Sequence, residues 1–136
     1  MFSQFDCAAT VAVKDLTKAR AFYEQTLGLK PEHEEGEEAV TYRTGASSLI
    51  VYRSQYAGSN KATAVTWNVG DAVTDIVRKL GEKGVKPEKY DMDGMEESGG
   101  VYSAGGMQIA WFKDPDGNVL GVCNAPSQAK AKPKAA

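Results

Sequence analysis

Few residues of this chain could carry chemistry unaided. Its single histidine, His33, lies in the acidic run Glu32-His33-Glu34-Glu35-Gly36-Glu37-Glu38. An imidazole among carboxylates could join a metal site, but it reads more simply as a solvated side chain in a charged loop. Cys7 and Cys123 stand near opposite ends of the body without Cys-x-x-Cys spacing, so no zinc or redox motif is indicated. Both read as small buried residues. No serine occupies a Gly-x-Ser-x-Gly setting, and no nucleophile stands beside an evident base. Gly99-Gly100 and Gly105-Gly106 lack the lysine and spacing of a phosphate-binding loop. Tyr42, Tyr102 and Glu96 could move a proton, yet nothing raises them above other polar residues.

Bulk properties narrow the classes further. The 136 residues suit one compact domain, and an apolar fraction of 42% with 25% charged residues is ordinary for a globular protein. A formal charge of −2 gives no basic face for nucleic acid or an anionic membrane. No apolar run is long enough to span a bilayer, and Met1-Phe2-Ser3-Gln4 lacks the features of a secretory signal, so a cytoplasmic location is expected.

The elements that must position any site come in duplicate. Val13, Asp15, Gly28, Lys30 and Pro31 recur 56 residues later, in unbroken register, as Val69, Asp71, Gly84, Lys86 and Pro87. In each copy a strand-like run ends on valine, and an aspartate with the acceptor of an N-cap begins a helix. The glycine then suits a left-handed residue past the helix end, and the proline blocks continuation. Residues 5–13 read as a strand buried on both faces or nearly so. Helices are expected over 16–28 and 72–83, with apolar stripes Ala19, Phe22, Tyr23, Leu27 and Val73, Ile76, Val77, Leu80. The acidic run 32–38 is too charged for a core and reads as an exposed edge strand or loop. Strands 39–43 and 47–53 flank the hairpin signal Thr44-Gly45-Ala46, the second of them central because residues 49–52 are apolar on both faces. After a joint at 54–61, residues 62–69 open the second copy. There 85–91 read as a strand and 92–100 as a loop, and Asp114-Pro115-Asp116-Gly117-Asn118 is a turn between strands 107–113 and 118–123. The tail 125–136, lysines among alanines and prolines, is expected to be disordered.

Asp15-Leu16, Ala21-Phe22-Tyr23 and Leu27-Gly28-Leu29, followed by Asp114-Pro115-Asp116-Gly117-Asn118, together resemble the vicinal oxygen chelate superfamily of glyoxalases, bleomycin resistance proteins and extradiol dioxygenases. The resemblance covers about residues 5–124. It implies an α+β fold and a single domain over 1–124, with two tandem βαβββ modules (about 5–57 and 62–124). Their mixed sheets would curl around a cleft with the helices outside, usually in a homodimer. It also implies metal ligands, typically His, Glu or Gln, on the first and last strand of each module. By register those positions fall on Ala8, Leu49 or Val51, Ala64 and Gly121, none of which carries a donor. Asp6, Cys7 and Cys123 are the nearest possible ligands. Neither a metal nor another cofactor is therefore expected.

If Ala8 and Ala64 face the cleft, alternation sends Thr10, Thr66 and Asn68 the same way, and Val11, Val65 and Trp67 toward the helices. Tyr42, Tyr52, Tyr102, Met107, Trp111 and Phe112 lie on the remaining strands, where they either line the cleft or pack a dimer interface. The candidate ligand-binding set is thus Ala8, Thr10, Tyr42, Ala64, Thr66, Asn68, Tyr102, Met107, Trp111 and Gly121. Small residues with aromatic walls and a few hydroxyl or amide groups suit a flat, partly apolar ligand. The expected function is a metal-free protein that holds an aromatic or drug-like small molecule without transforming it. The alternatives are a lyase, isomerase or dioxygenase with an atypical metal site, and a dimerising module whose cleft is closed by its own aromatics.

Overall fold

The structure, a computed structural model, describes residues 1–124; the expectation for the tail lies outside the described residues. It is an α+β fold with one mixed sheet in each copy of the repeat. Two compact units result, the first comprising residues 1–64 together with Asp114–Asn118.

In the first unit β1 (Ala9–Val13) is followed by α1 (Leu16–Arg20), which runs on as a π-helix over Ala21–Thr26. Strands β2 (Lys30–Glu35), β3 (Ala39–Thr44) and β4 (Ser47–Arg53) complete a sheet of order β1-β4-β3-β2, with β1 parallel to β4. The Asp15 side chain accepts from the Lys18 amide at 3.1 Å, as an N-cap should, and Gly28 stops the helix at φ +78°. Ala19, Phe22 and Tyr23 are buried, as are Val11, Val13, Val40, Tyr42, Leu49 and Val51. Each large apolar side chain so buried contributes about 1.5–3 kcal/mol, so this packing rather than helix propensity holds so short a helix. β1 is shorter than the run 5–13: Phe5 is 68% exposed and Cys7 is exposed, which corrects the expectation of a buried Cys7. β1 pairs β4 only from Ala9 onward, so residues 5–8 lie before that ladder.

A polar cluster lies inside this unit. Asp114 is 4% exposed, and its carboxylate accepts four hydrogen bonds: from the Tyr23 hydroxyl (2.7 Å), the Asn118 side-chain amide (2.8 Å), and the amides of Asp116 and Asn118 (2.9 Å each). Asn118 also donates to the Ala12 carbonyl at 2.8 Å, which ties the turn to β1.

The second unit contains β5 (Thr63–Asn68), begun just before the unit boundary, then a 3₁₀ turn (Gly70–Ala72), α2 (Val73–Glu82), β6 (Glu96–Ser98), β7 (Val101–Ala104), β8 (Met107–Lys113) and β9 (Val119–Cys123). Its sheet has the order β5-β9-β8-β7-β6. The expected strand over 85–91 does not form, and the expected loop over 92–100 contains β6. Asp71 does not cap α2 either: it lies within the 3₁₀ turn, whose Gly70 amide is instead accepted by the Asn68 side chain at 3.2 Å. No described helix is long and apolar enough to cross a membrane.

Two predictions follow from the first unit's core. Asp114→Ala would strip four donors, in three buried bonds and one half-buried, of their acceptor and is expected to cost about 3 kcal/mol or more, read from the urea midpoint. Burial, then the neighbouring Asp114 carboxylate, raises the pKa of Tyr23, and burial with the Glu24 hydrogen bond raises that of Tyr42. The folded state thus favours the protonated phenols, so their stabilisation is complete below the unfolded value of about 10 and is lost as pH rises beyond it. The urea midpoint should hold steady below that point and fall above it, less steeply in Tyr23→Phe; a flat alkaline profile would contradict the assignment.

Candidate functional site

One face of the second sheet gathers most of the candidate residues. On β5, Ala64, Thr66 and Asn68 are exposed while Val65 and Trp67 are partly covered, as alternation requires. A Cβ added to Gly121 would lie 3.4 Å from Trp111 Cδ1 and 3.6 Å from Thr66 Oγ1, so these three positions share a face. Trp111 pairs with Gly121, Ile109 with Cys123, and Tyr102 with Ile109, which places Tyr102, Met107 and Ile109 there too. The opposite face carries Ala110, Phe112, Leu120 and Val122, all buried; Ala110 and Phe112 share a small cavity of about 10 Å³ with Val77 and Leu80 of α2.

Aromatic rings wall this face. Trp111 meets Tyr90 edge-on, with centroids 5.2 Å apart at 85°, and Tyr102 at 5.6 Å and 60°. Tyr102 is buried under these rings, whereas Tyr90 and Met107 are 39% and 45% exposed. Two ion pairs lie nearby. Glu97 accepts from the Gly100 amide at 2.7 Å and meets Lys89 at 3.1 Å, contacts that hold its carboxyl below the usual range. Lys113 faces Glu88 at 3.6 Å.

The first unit divides its candidates between two faces. Thr10 is exposed and donates to the Ala8 carbonyl at 3.4 Å, and its strand partner is Ile50. Tyr42 lies on the other face. It pairs with Leu49, is fully buried, stacks on Tyr23 at 6.1 Å and donates to Glu24 at 2.9 Å. Leu49 and Val51 are there as well, opposite Ala9 and Val11, so the residues of β4 that share the Thr10 face are Ile50 and Tyr52. Tyr42 therefore belongs to the packed core, and the expected β4 register is shifted by one. Two residues absent from the candidate set are drawn in. Ile109 is betrayed by its parity with Trp111, while Tyr90 reaches Trp111 from an irregular segment whose course no periodicity foretells.

Strand positions that would have to hold a metal offer methyl groups at Ala8 and Ala64 and no side chain at Gly121, and β4 presents Ile50 and Tyr52 on its Thr10 face. Among the described residues no group of three or more His, Cys, Asp or Glu could hold an ion. This donor set does not fit a divalent metal.

Comparison with known proteins agrees with this architecture. A family model described as Glyoxalase/Bleomycin resistance protein/Dioxygenase superfamily matches residues 7–122. Among solved structures, a glyoxalase/bleomycin resistance protein from Catenulispora acidiphila is 25% identical, with a TM-score of 0.66, over 90% of this chain and all of that one (100%). TnmS3, an antibiotic binding protein from Streptomyces, is 21% identical with a TM-score of 0.61, over 90% of this chain and 96% of its own. A lactoylglutathione lyase from Agrobacterium tumefaciens is 16% identical with a TM-score of 0.66, over 89% and 92% of the two chains. No curated protein matches the chain.

Elemental analysis of protein grown in metal-supplemented medium is expected to show no stoichiometric zinc, nickel or iron, and a chelator should leave the melting temperature unchanged. One ion per chain would contradict the misfit and direct attention to Asp6, Cys7, His33 and Cys123.

Proposed function

The chain belongs to the glyoxalase/bleomycin resistance protein/dioxygenase superfamily, and from that premise we propose that it is a metal-free binding protein that sequesters an aromatic or drug-like small molecule. The observation that carries this reading is the second sheet's face. Where a metal enzyme of the resembled family would place long polar ligands, this chain has Ala64 and Gly121, flanked by the Trp111 and Tyr90 rings and the hydroxyl of Thr66. Gly121 is buried and Trp111 half-buried, so a flat ligand packed against the Trp111 and Tyr90 rings would cover the apolar surface they still expose, which is unfavourable in water by roughly 25 cal/mol per Å². Thr66 and Asn68 supply polar groups to orient it. On the first sheet Thr10, Ile50 and Tyr52 share a second, partly apolar face, with Ala8 just before it, that suits the same chemistry. Similarity to an antibiotic binding protein supports the ligand class, and the misfit of the donor set speaks against metal-dependent turnover. We take the working form to be a homodimer, as the resemblance implies, and its location to be cytoplasmic.

The test is a thermal-shift screen of aromatic small molecules, since a ligand that binds only the folded state raises its stability by mass action. At least one flat aromatic compound is expected to raise the melting temperature. Ala64→Leu with Thr66→Leu, both at exposed positions of β5, should fold normally and weaken that compound at least about tenfold. Undiminished binding to the folded double variant would place the site elsewhere and remove the main support for this reading.

A further inference from the structure

Residues 87–90 occupy the place where a strand was expected, and each of them is fastened to the second sheet by a different contact. The Pro87 ring fills the space that a side chain on Gly100 would need, and Gly100 itself adopts φ +92°. The Glu88 amide donates to the Trp111 carbonyl at 2.7 Å, with its carboxylate toward Lys113. Lys89 meets Glu97 at 3.1 Å. At Tyr90 the Tyr102 hydroxyl grips the main chain from both sides, accepting from the amide at 2.6 Å and donating to the carbonyl at 3.0 Å. A side chain only 3% exposed thus spends its one polar group on a residue twelve positions earlier, and the Tyr90 ring so held stands at 85° to Trp111.

We propose that Tyr102 is a positioning residue: by gripping both main-chain groups of Tyr90 it holds residues 87–90 as a strap on the sheet, and so fixes the Tyr90–Trp111 wall against which an uncharged, flat, polycyclic ligand stacks. The uncharged class follows from the surroundings of the wall, where Glu97 is engaged by Lys89 and the Gly100 amide, and Glu88 faces Lys113. An ionic ligand pairing with any of these four side chains would have to break a pair already formed. The choice of ligand rests on the binding function proposed above, whereas the strap itself rests on geometry alone.

The experiment has two arms, run in a Trp67→Phe background so that Trp111 is the one remaining tryptophan of two. Hydrogen exchange reads the strap. In Tyr102→Phe the amides of Glu88 and Tyr90 are expected to exchange at least about tenfold faster, with a change in Trp111 emission, while amides of α2 keep their protection. Unaltered exchange at both amides overturns the strap. Binding of 1-aminoanthracene, a flat uncharged tricycle, reads the wall. Tyr102→Phe should weaken it at least about tenfold, and so should Tyr90→Ala, which keeps the main-chain grip and therefore slow exchange but removes the ring. A loosened strap with unweakened binding overturns the positioning role. Tighter binding of the anionic anthracene-9-carboxylate or the cationic proflavine overturns the uncharged class. Should the parent bind none of the three, the binding function itself loses support, and the exchange arm still decides the strap.

Discussion

The first unit depends on a carboxylate supplied from far along the chain. Asp114 has no cation beside it among its hydrogen-bond partners; four donors, two of them main-chain amides of its own turn, take the place of water around a nearly buried group. Such a group is tolerated inside a protein only when its acceptor capacity is used, and here it is. The arrangement explains why Asp114–Asn118, although flanked by strands of the second sheet, clusters with the first unit. It also gives the π-helix a purpose. The Leu27 amide reaches back five residues to the Phe22 carbonyl at 2.9 Å, and within this widened stretch the adjacent Tyr23 and Glu24 serve different partners, Asp114 and Tyr42.

The second sheet shows the complementary strategy, in which side chains are withheld. Gly121 is not in the left-handed region, and an added Cβ would meet its neighbours at ordinary contact distances. Neither backbone strain nor a clash therefore demands glycine there. What its absence of a side chain achieves is proximity, leaving the Trp111 edge and the Thr66 hydroxyl next to bare main chain. Ring contacts then give the face its shape, and the Lys89–Glu97 and Lys113–Glu88 pairs lie beside it.

Local rules carried much of this into the sequence. The helix stop at Gly28, the hairpin at Gly45 and the turn at Gly117 each follow from a residue whose conformational preference is met on the spot, with φ of +78°, +61° and +90°. Alternation on β5 was equally visible, because an edge strand with one covered face keeps a strict period of two. What escaped notice depends on partners remote in sequence. The repeat suggested that Asp71 should act like Asp15, but the Asn68 side chain captures the turn first. Tyr42 looked like a wall of the cleft because its facing is set by pairing with Leu49, which no local pattern records. Residues 85–91 carry an apolar start that resembles a strand, yet the edge they would have joined is served by one main-chain bond and a set of side-chain clamps. The lack of a donor side chain at Ala8, Ala64 and Gly121, by contrast, is read directly from the residue types.

The two outermost hairpin strands, β2 and β6, share a property that bears on life in a crowded solution. β2 is fully exposed along Lys30–Glu35 and carries Glu32, Glu34 and Glu35, with Pro31 removing one amide and a register shift beside it. β6 is only three residues long and contributes Glu96 and Glu97. Free strand edges are templates for pairing with a second molecule, and repeated carboxylates, a proline and brevity are the means that discourage it. Glu32 and Glu34 are shared with Arg43 and Arg20, and Glu97 with Lys89, so exposed charged side chains, the proline and short length, rather than net repulsion, disfavour pairing along these edges. The acidic run, exposed along the whole of β2, is thus best understood as insulation of a strand edge against pairing with a second molecule.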